Sequence, residues 1–149
     1  MNLVEKLKLA QNEAMRNKDV GRLSVIRLVR SAVEQTVTAG KERREATDID
    51  VITAIRKEIA AKTETVENFQ KLNRDTTALY ADIATLESFL PQQMSDEQIR
   101  AVAEAIMTEK GLDKNVKSMG VILKELMARH QGQFDNAKAS GIVKNMLIG

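Results

Sequence analysis

A single proline, Pro91, separates two helix-forming stretches and limits what this chain can become. Proline has no backbone N–H to donate and pushes the residue before it out of the α region. Ahead of it, Leu79, Ile83, Leu86 and Leu90 recur at four-, three- and four-residue intervals, the stripe of an amphipathic helix. That helix should stop at about Phe89. Behind it, Ser95 followed by Gln98 reads as a capping box that opens a new helix. The pattern predicts an all-α protein of two modules, 1–90 and 95–149, joined at Pro91.

Each module resolves into helices. Asn2 with Glu5 caps a first helix whose face is Leu3, Leu7, Ala10 and Ala14, with Leu3 at a fraying end. Asp19 caps a second helix running to about Thr38, with Gly40 near its end. Its apolar residues Leu23, Val25, Ile26, Leu28, Val29, Ala32, Val33 and Val37 cover more than one stripe, so it should be buried on two sides. Lys41-Glu42-Arg43-Arg44-Glu45 reads as an exposed loop. Thr47 or Asp48 then caps a third helix of roughly two dozen residues, against a mean of about 11–12. Its stripe is Ile52, Ile55, Ile59, Val66, Phe69 and Leu72, interrupted by Thr63. A turn at Asn73-Arg74-Asp75 folds a fourth helix back into an antiparallel hairpin.

Three short helices are expected after the proline. Ile99, Val102, Ala103 and Ile106 mark the first, closed by Gly111 as a left-handed cap. Val116, Met119, Ile122, Leu123, Leu126 and Met127 mark the second, ended by Gly132. Asp135 caps the third, with Ile142, Val143, Met146 and Leu147 facing inward. Gly120 inside a helix costs ~1 kcal/mol relative to Ala, so it implies a close approach, to a packed helix or to a ligand.

Several chemistries lack their residues. There is no cysteine, which excludes disulfides and thiolate metal sites, and a reducing cytoplasm fits. No apolar run approaches the ~20 residues of a membrane span, and the amino terminus lacks a signal-peptide core. His130 is the one histidine, placed in a last helical turn where it would interact with the C-terminal carbonyls. No nucleophile elbow, phosphate-binding loop or dinucleotide fingerprint occurs, so the residues name neither a catalytic group nor a cofactor.

Charge is the remaining signal. Residues 1–44 carry ten Lys/Arg against five Asp/Glu, 45–109 six against thirteen, and 110–149 seven against three. The basic ends suit an anionic partner, or they complement the acidic middle within the fold. Arg16, Lys18, Arg22, Arg27 and Arg30 gather around the first two helices. Lys114, Lys117, Lys124, Arg129, Lys138 and Lys144 spread through the tail, where Lys117 and Lys124 are seven residues apart and should share a helix face. With Phe134 as the one tail aromatic, RNA contact there would be to backbone and shape rather than to stacked bases.

The stretch Leu90-Pro91-Gln92-Gln93-Met94-Ser95-Asp96-Glu97 with Ile99 resembles the middle of GatB/YqeY family proteins. Arg22-Leu23-Ser24-Val25-Ile26-Arg27 resembles the family's first long helix, and Met119-Gly120-Val121 with Gly132 and Asp135 to Lys144 resembles its tail. In tRNA-dependent amidotransferases acting on Glu-tRNA(Gln) or Asp-tRNA(Asn), the B subunit ends in a helical tail that contacts tRNA. Ser95 to Gly149 resemble the end of that tail. The resemblance implies an accessory protein binding tRNA or a tRNA-charging or amidotransferase partner, through the six tail cations. The family link is to carbon–nitrogen ligase activity with glutamine as amido donor, but the residues do not support an enzyme acting on its own, since the catalytic domain of that subunit has no counterpart in the sequence. The alternative is a protein-interaction adaptor with no RNA role. Where the family has Ala-Asp-Gly-Lys before its last helix, this chain has Phe134-Asp135-Asn136-Ala137-Lys138 and has lost the glycine.

Overall fold

The computed structural model describes residues 2–148, and among them every regular element is helical. The helices are α1 (Leu3–Arg16), α2 (Val20–Thr38), α3 (Asp48–Lys71), α4 (Thr77–Glu87), α5 (Asp96–Lys110), α6 (Met119–Arg129) and α7 (Asn136–Ile148). A 3-10 turn, Val116–Ser118, precedes α6. The chain divides into two compact units, Met1–Leu90 and Pro91–Gly149.

In the first unit, α2 packs against α1, α3 and α4. Val25, Ile26, Val29, Val33 and Val37 are buried along it, which explains why its apolar residues fill more than one stripe. Leu28 is the exception: it lies half-exposed on the remaining face. Leu3, Leu7, Ala10 and Ala14 of α1, Val51, Ile52, Ala54 and Ile55 of α3, and Leu86 of α4 complete the core. Leu3 does not fray. It is buried, and its N–H donates to Asp48 Oδ1 at 3.0 Å, so the carboxylate at the start of α3 anchors the start of α1.

Caps set the helix ends. Asn2 and Asp19 accept from the N–H of Glu5 and Arg22, and Thr47 closes a reciprocal box with Asp50. Two C-termini end in left-handed residues that are not glycine, Lys18 (φ 55°) and Asn73 (φ 53°). In each, the next N–H reaches back to the helix: Asp19 to Ala14 O at 2.9 Å, and Arg74 to Phe69 O at 2.9 Å. These are Schellman closures made without the residue that makes them cheapest. Gly40 has no such role, since α2 ends at Thr38 and its C-cap, Ala39, keeps right-handed backbone.

The long α3 outruns the core. Its last residue packed on the core is Ile59. The following dozen residues, ~18 Å of helix, pair with α4 as a two-helix arm. Val66 is buried between them, Phe69, Leu79 and Ile83 are half-buried, and Leu72 at the tip is exposed. Lys62 and Asp82 tie the two helices at 3.4 Å. Helix α4 is shorter than its stripe suggests: it stops at Glu87, and Ser88 to Leu90 continue as a turn before Pro91.

The second unit is a small closed bundle in which α5, α6 and α7 all pack on one another. Ile99, Ala103, Ile106, Ile122, Leu126, Phe134, Ala139, Val143 and Leu147 form its core. Ser95 and Gln98 make the reciprocal box, Gly111 (φ 60°) ends α5, and Asp135 Oδ1 accepts from Ala137 N. Gly132 (φ 79°) is the third residue of a turn closed by Gln133 N to His130 O at 3.0 Å, a position that requires positive φ in a type II turn. Its carbonyl accepts from Gln93 Nε2, and Met94 N donates to Gln133 O at 2.7 Å. The segment after Pro91 is thereby fixed to the turn between α6 and α7.

Two expectations fail here. Residues 116–118 are not α-helical: Asn115 Oδ1 caps a 3-10 turn and Ser118 Oγ donates to Asp113 O at 2.7 Å. Val116, in that turn, stays exposed, and so does Met127 on the outer side of α6. Gly120 is also solvent-facing, and a Cβ there would meet nothing within 4 Å. It does not mark tight helix packing.

Candidate functional site

The six tail cations fall into two groups. Arg129, the last residue of α6, donates to Glu125 Oε1 at 3.0 Å and to Glu109 Oε2 at 2.6 Å. The pairing holds the Glu109 carboxyl below its usual range and raises the Arg129 guanidinium, chiefly through their shared hydrogen bond. Lys138 reaches Asp96 at 2.8 Å. These two serve as cross-links within the unit: Arg129 joins α6 to α5, and Lys138 joins α7 to α5. Lys117, Lys124 and Lys144 face solvent and make no ion pair among the described residues. Lys124 points away from the buried Ile122 and Leu126, on the outer face of α6. Lys117 lies in the 3-10 turn, so the two-turn α-helical spacing that would align it with Lys124 does not hold.

Lys114 sits elsewhere, at a depression of about 430 Å³ bounded by Arg100 and Glu104 of α5 and by Asn145 of α7, with Met107 and Met146 as apolar lining. Arg100 is the residue that reading the chain in order misses. It belongs to the acidic stretch of the sequence, and the fold places it in the lining of the same depression as Lys114. Its one signal in the sequence is its place one position after Ile99, on the edge of the buried stripe. Counted by unit, Pro91–Gly149 holds eight Lys/Arg against seven Asp/Glu. The acidic α5 therefore offsets most of the basic tail inside a single unit.

The first unit has a larger cleft of about 780 Å³ between α1, α2 and the 43–46 loop. Lys8, Arg27, Arg30 and Arg43 line it, but so do Glu5, Glu34 and Glu45. Arg30 donates to Gln11 and Arg43 pairs with Glu34 at 2.9 Å, so both guanidinium groups are already engaged. Arg22 lies 5.4 Å from the centre of the Phe89 ring. Arg44 forms a two-pronged pair with Asp50, which with the Thr47 N–H drives that carboxyl well below its normal range. This is a helix cap reinforced by an arginine, not an acid–base site.

His130 is half-buried, with Nδ1 2.8 Å from Gln133 Oε1. Its partner is a side chain in the α6–α7 turn rather than the helix carbonyls. Among the described residues no three His, Asp or Glu come together as a metal site would require. No described helix is long and apolar enough to cross a membrane.

Fold and surface together define an all-α protein of two helical units. The chain belongs to the Yqey-like protein family, whose model matches residues 4–147. No curated protein matches it.

Proposed function

We propose that this protein is an RNA-binding accessory factor, its target tRNA or a component of tRNA charging, and that it acts by binding rather than by catalysis. The observation that carries the reading is the depression on the second unit whose lining includes Arg100 and Lys114 together with Asn145 and a single carboxylate, Glu104. Its volume lies within the ~300–1,000 Å³ of ordinary ligand pockets, at the small end. Two cations there suit a phosphate, the amide of Asn145 suits a base edge or a 2′-hydroxyl, and the Met107 and Met146 side chains give an apolar surface. Lys117, Lys124 and Lys144 extend the cationic surface without internal ion pairs to displace. Arg129 and Lys138 do not belong to it, because recruiting them would break ion pairs that cross-link the unit.

Filter binding of bulk tRNA at rising salt tests this. Each phosphate neutralised contributes ~0.7–0.9 to the slope of log K against log salt. Arg100→Glu and Lys124→Glu should each weaken binding and flatten the slope, with the melting temperature unchanged. Binding that is absent at low salt, or untouched by both substitutions, refutes the reading.

A further inference from the structure

We infer that the arm formed by α3 and α4 is a docking surface for a basic amphipathic helix of a partner protein. Two antiparallel helices bury only the strip where they meet; each retains an apolar flank that a third helix would normally cover. On one side of this arm that flank is open. A groove of about 480 Å³ runs between the helices, floored by Val66, Ile83 and Ala84 and walled by Tyr80. Tyr80 is half-exposed, and Gln70 Nε2 donates to its hydroxyl at 3.2 Å across the groove, which holds the ring upright as one wall. The interrupting Thr63 also lines the groove, with its hydroxyl engaged by Ile59 O at 2.7 Å.

Charge selects the occupant. The groove is flanked by Glu67 on α3 and Glu87 on α4, and no Lys or Arg lines it. The inter-helix ion pair of Lys62 with Asp82 is separate from this lining. A helix with an apolar stripe bordered by Lys or Arg would complete a three-helix bundle and pair with both carboxylates. A helix is favoured over an extended strand because two antiparallel helices offer ridges and grooves and no sheet edge. This surface is independent of the RNA reading, which rests on the second unit.

The test uses the full-length chain and a fluorescein-labelled Leu/Lys peptide of about 18 residues, ~27 Å as a helix. Controls are the same composition scrambled and a version with Glu replacing Lys. Fluorescence anisotropy should show saturable binding of the Leu/Lys peptide alone. Glu67→Lys with Glu87→Lys should weaken it at least about tenfold. Both carboxylates are exposed, so far-UV circular dichroism and melting should match the unsubstituted chain. Ala84→Arg, also at an exposed position, blocks the groove sterically and should abolish binding independently. Lys124→Glu should leave peptide binding as it is. No saturable binding, equal binding of the scrambled peptide, or binding indifferent to both groove variants overturns the inference. So does self-association of the chain that Ala84→Arg removes, which would make a second copy the occupant.

Discussion

The two units solve the same problem, covering the apolar faces of their helices, in opposite ways. In Pro91–Gly149 each helix meets both others, and seven of the nine core residues have no exposed surface. In Met1–Leu90 a dense core occupies one end, and the rest of α3 and α4 continues past it with Val66 as its one buried side chain. A closed bundle spends its apolar residues on its own stability. An arm keeps part of them available to something else. The comparison implies that stability in the first unit falls from core to tip, whereas in the second it is nearly uniform.

Core substitutions break or sharpen that comparison with the largest effect. Ile55→Ala removes a fully buried side chain and should cost roughly 2–5 kcal/mol. Ile83→Ala, half-buried on the arm, should cost under about 1.5 kcal/mol, with the amide-exchange loss confined to the arm. Equal costs would mean that the arm is as integral as the core. Next, Ser95→Ala deletes half of a reciprocal cap and should lower the stability of the second unit by ~1 kcal/mol, read from exchange protection in α5. A smaller effect with opposite sign is expected at Gly141, in the interior of α7, where an added methyl group would meet nothing within 4 Å. Gly141→Ala should gain about 0.5–1 kcal/mol through helix propensity.

The smallest effect is a pH dependence in the first unit. Asp50 has its pKa lowered on folding by Arg44 and Thr47, so the folded state favours its charged form. Its contribution is present above the unfolded value near ~4 and is lost as pH falls from there toward the folded value. Thermal melts between about pH 5 and pH 3 should show a decline in the first unit that Asp50→Asn diminishes. An identical decline in the variant would assign the acid sensitivity to other carboxylates.

Helix positions and caps were legible in the sequence because they are local. Asn2, Asp19, Thr47, Ser95 and Asp135 each satisfy N–H groups within three residues, and Gly111 needs only its own backbone freedom. What was not legible depends on residues far apart in the chain. Periodicity placed Leu28, Leu72, Val116 and Met127 on apolar stripes, but a stripe cannot say whether a partner helix reaches that far along it. Lys18 and Asn73 adopt left-handed backbone because the Schellman bonds compensate, a trade that residue type alone does not reveal. The candidate site suffered most. Charge counting treated six tail cations alike, and only tertiary packing separates Arg129 and Lys138, which serve as braces, from Lys117, Lys124 and Lys144. The same packing supplied Arg100, from a stretch whose acidity concealed it.

Leu86 is the one fully buried residue of α4, and its place in the first core bears on how that unit is made. That core also contains Leu3, near the other end of the same unit. A chain emerging from the ribosome amino end first can pair α1 with α2 early, but it cannot close the core until α4 has cleared the exit. The second unit's core spans only Ile99 to Leu147, so its contacts close over shorter loops. During synthesis the first unit therefore waits with an open apolar face for its last helix, the interval in which a chaperone has most to hold.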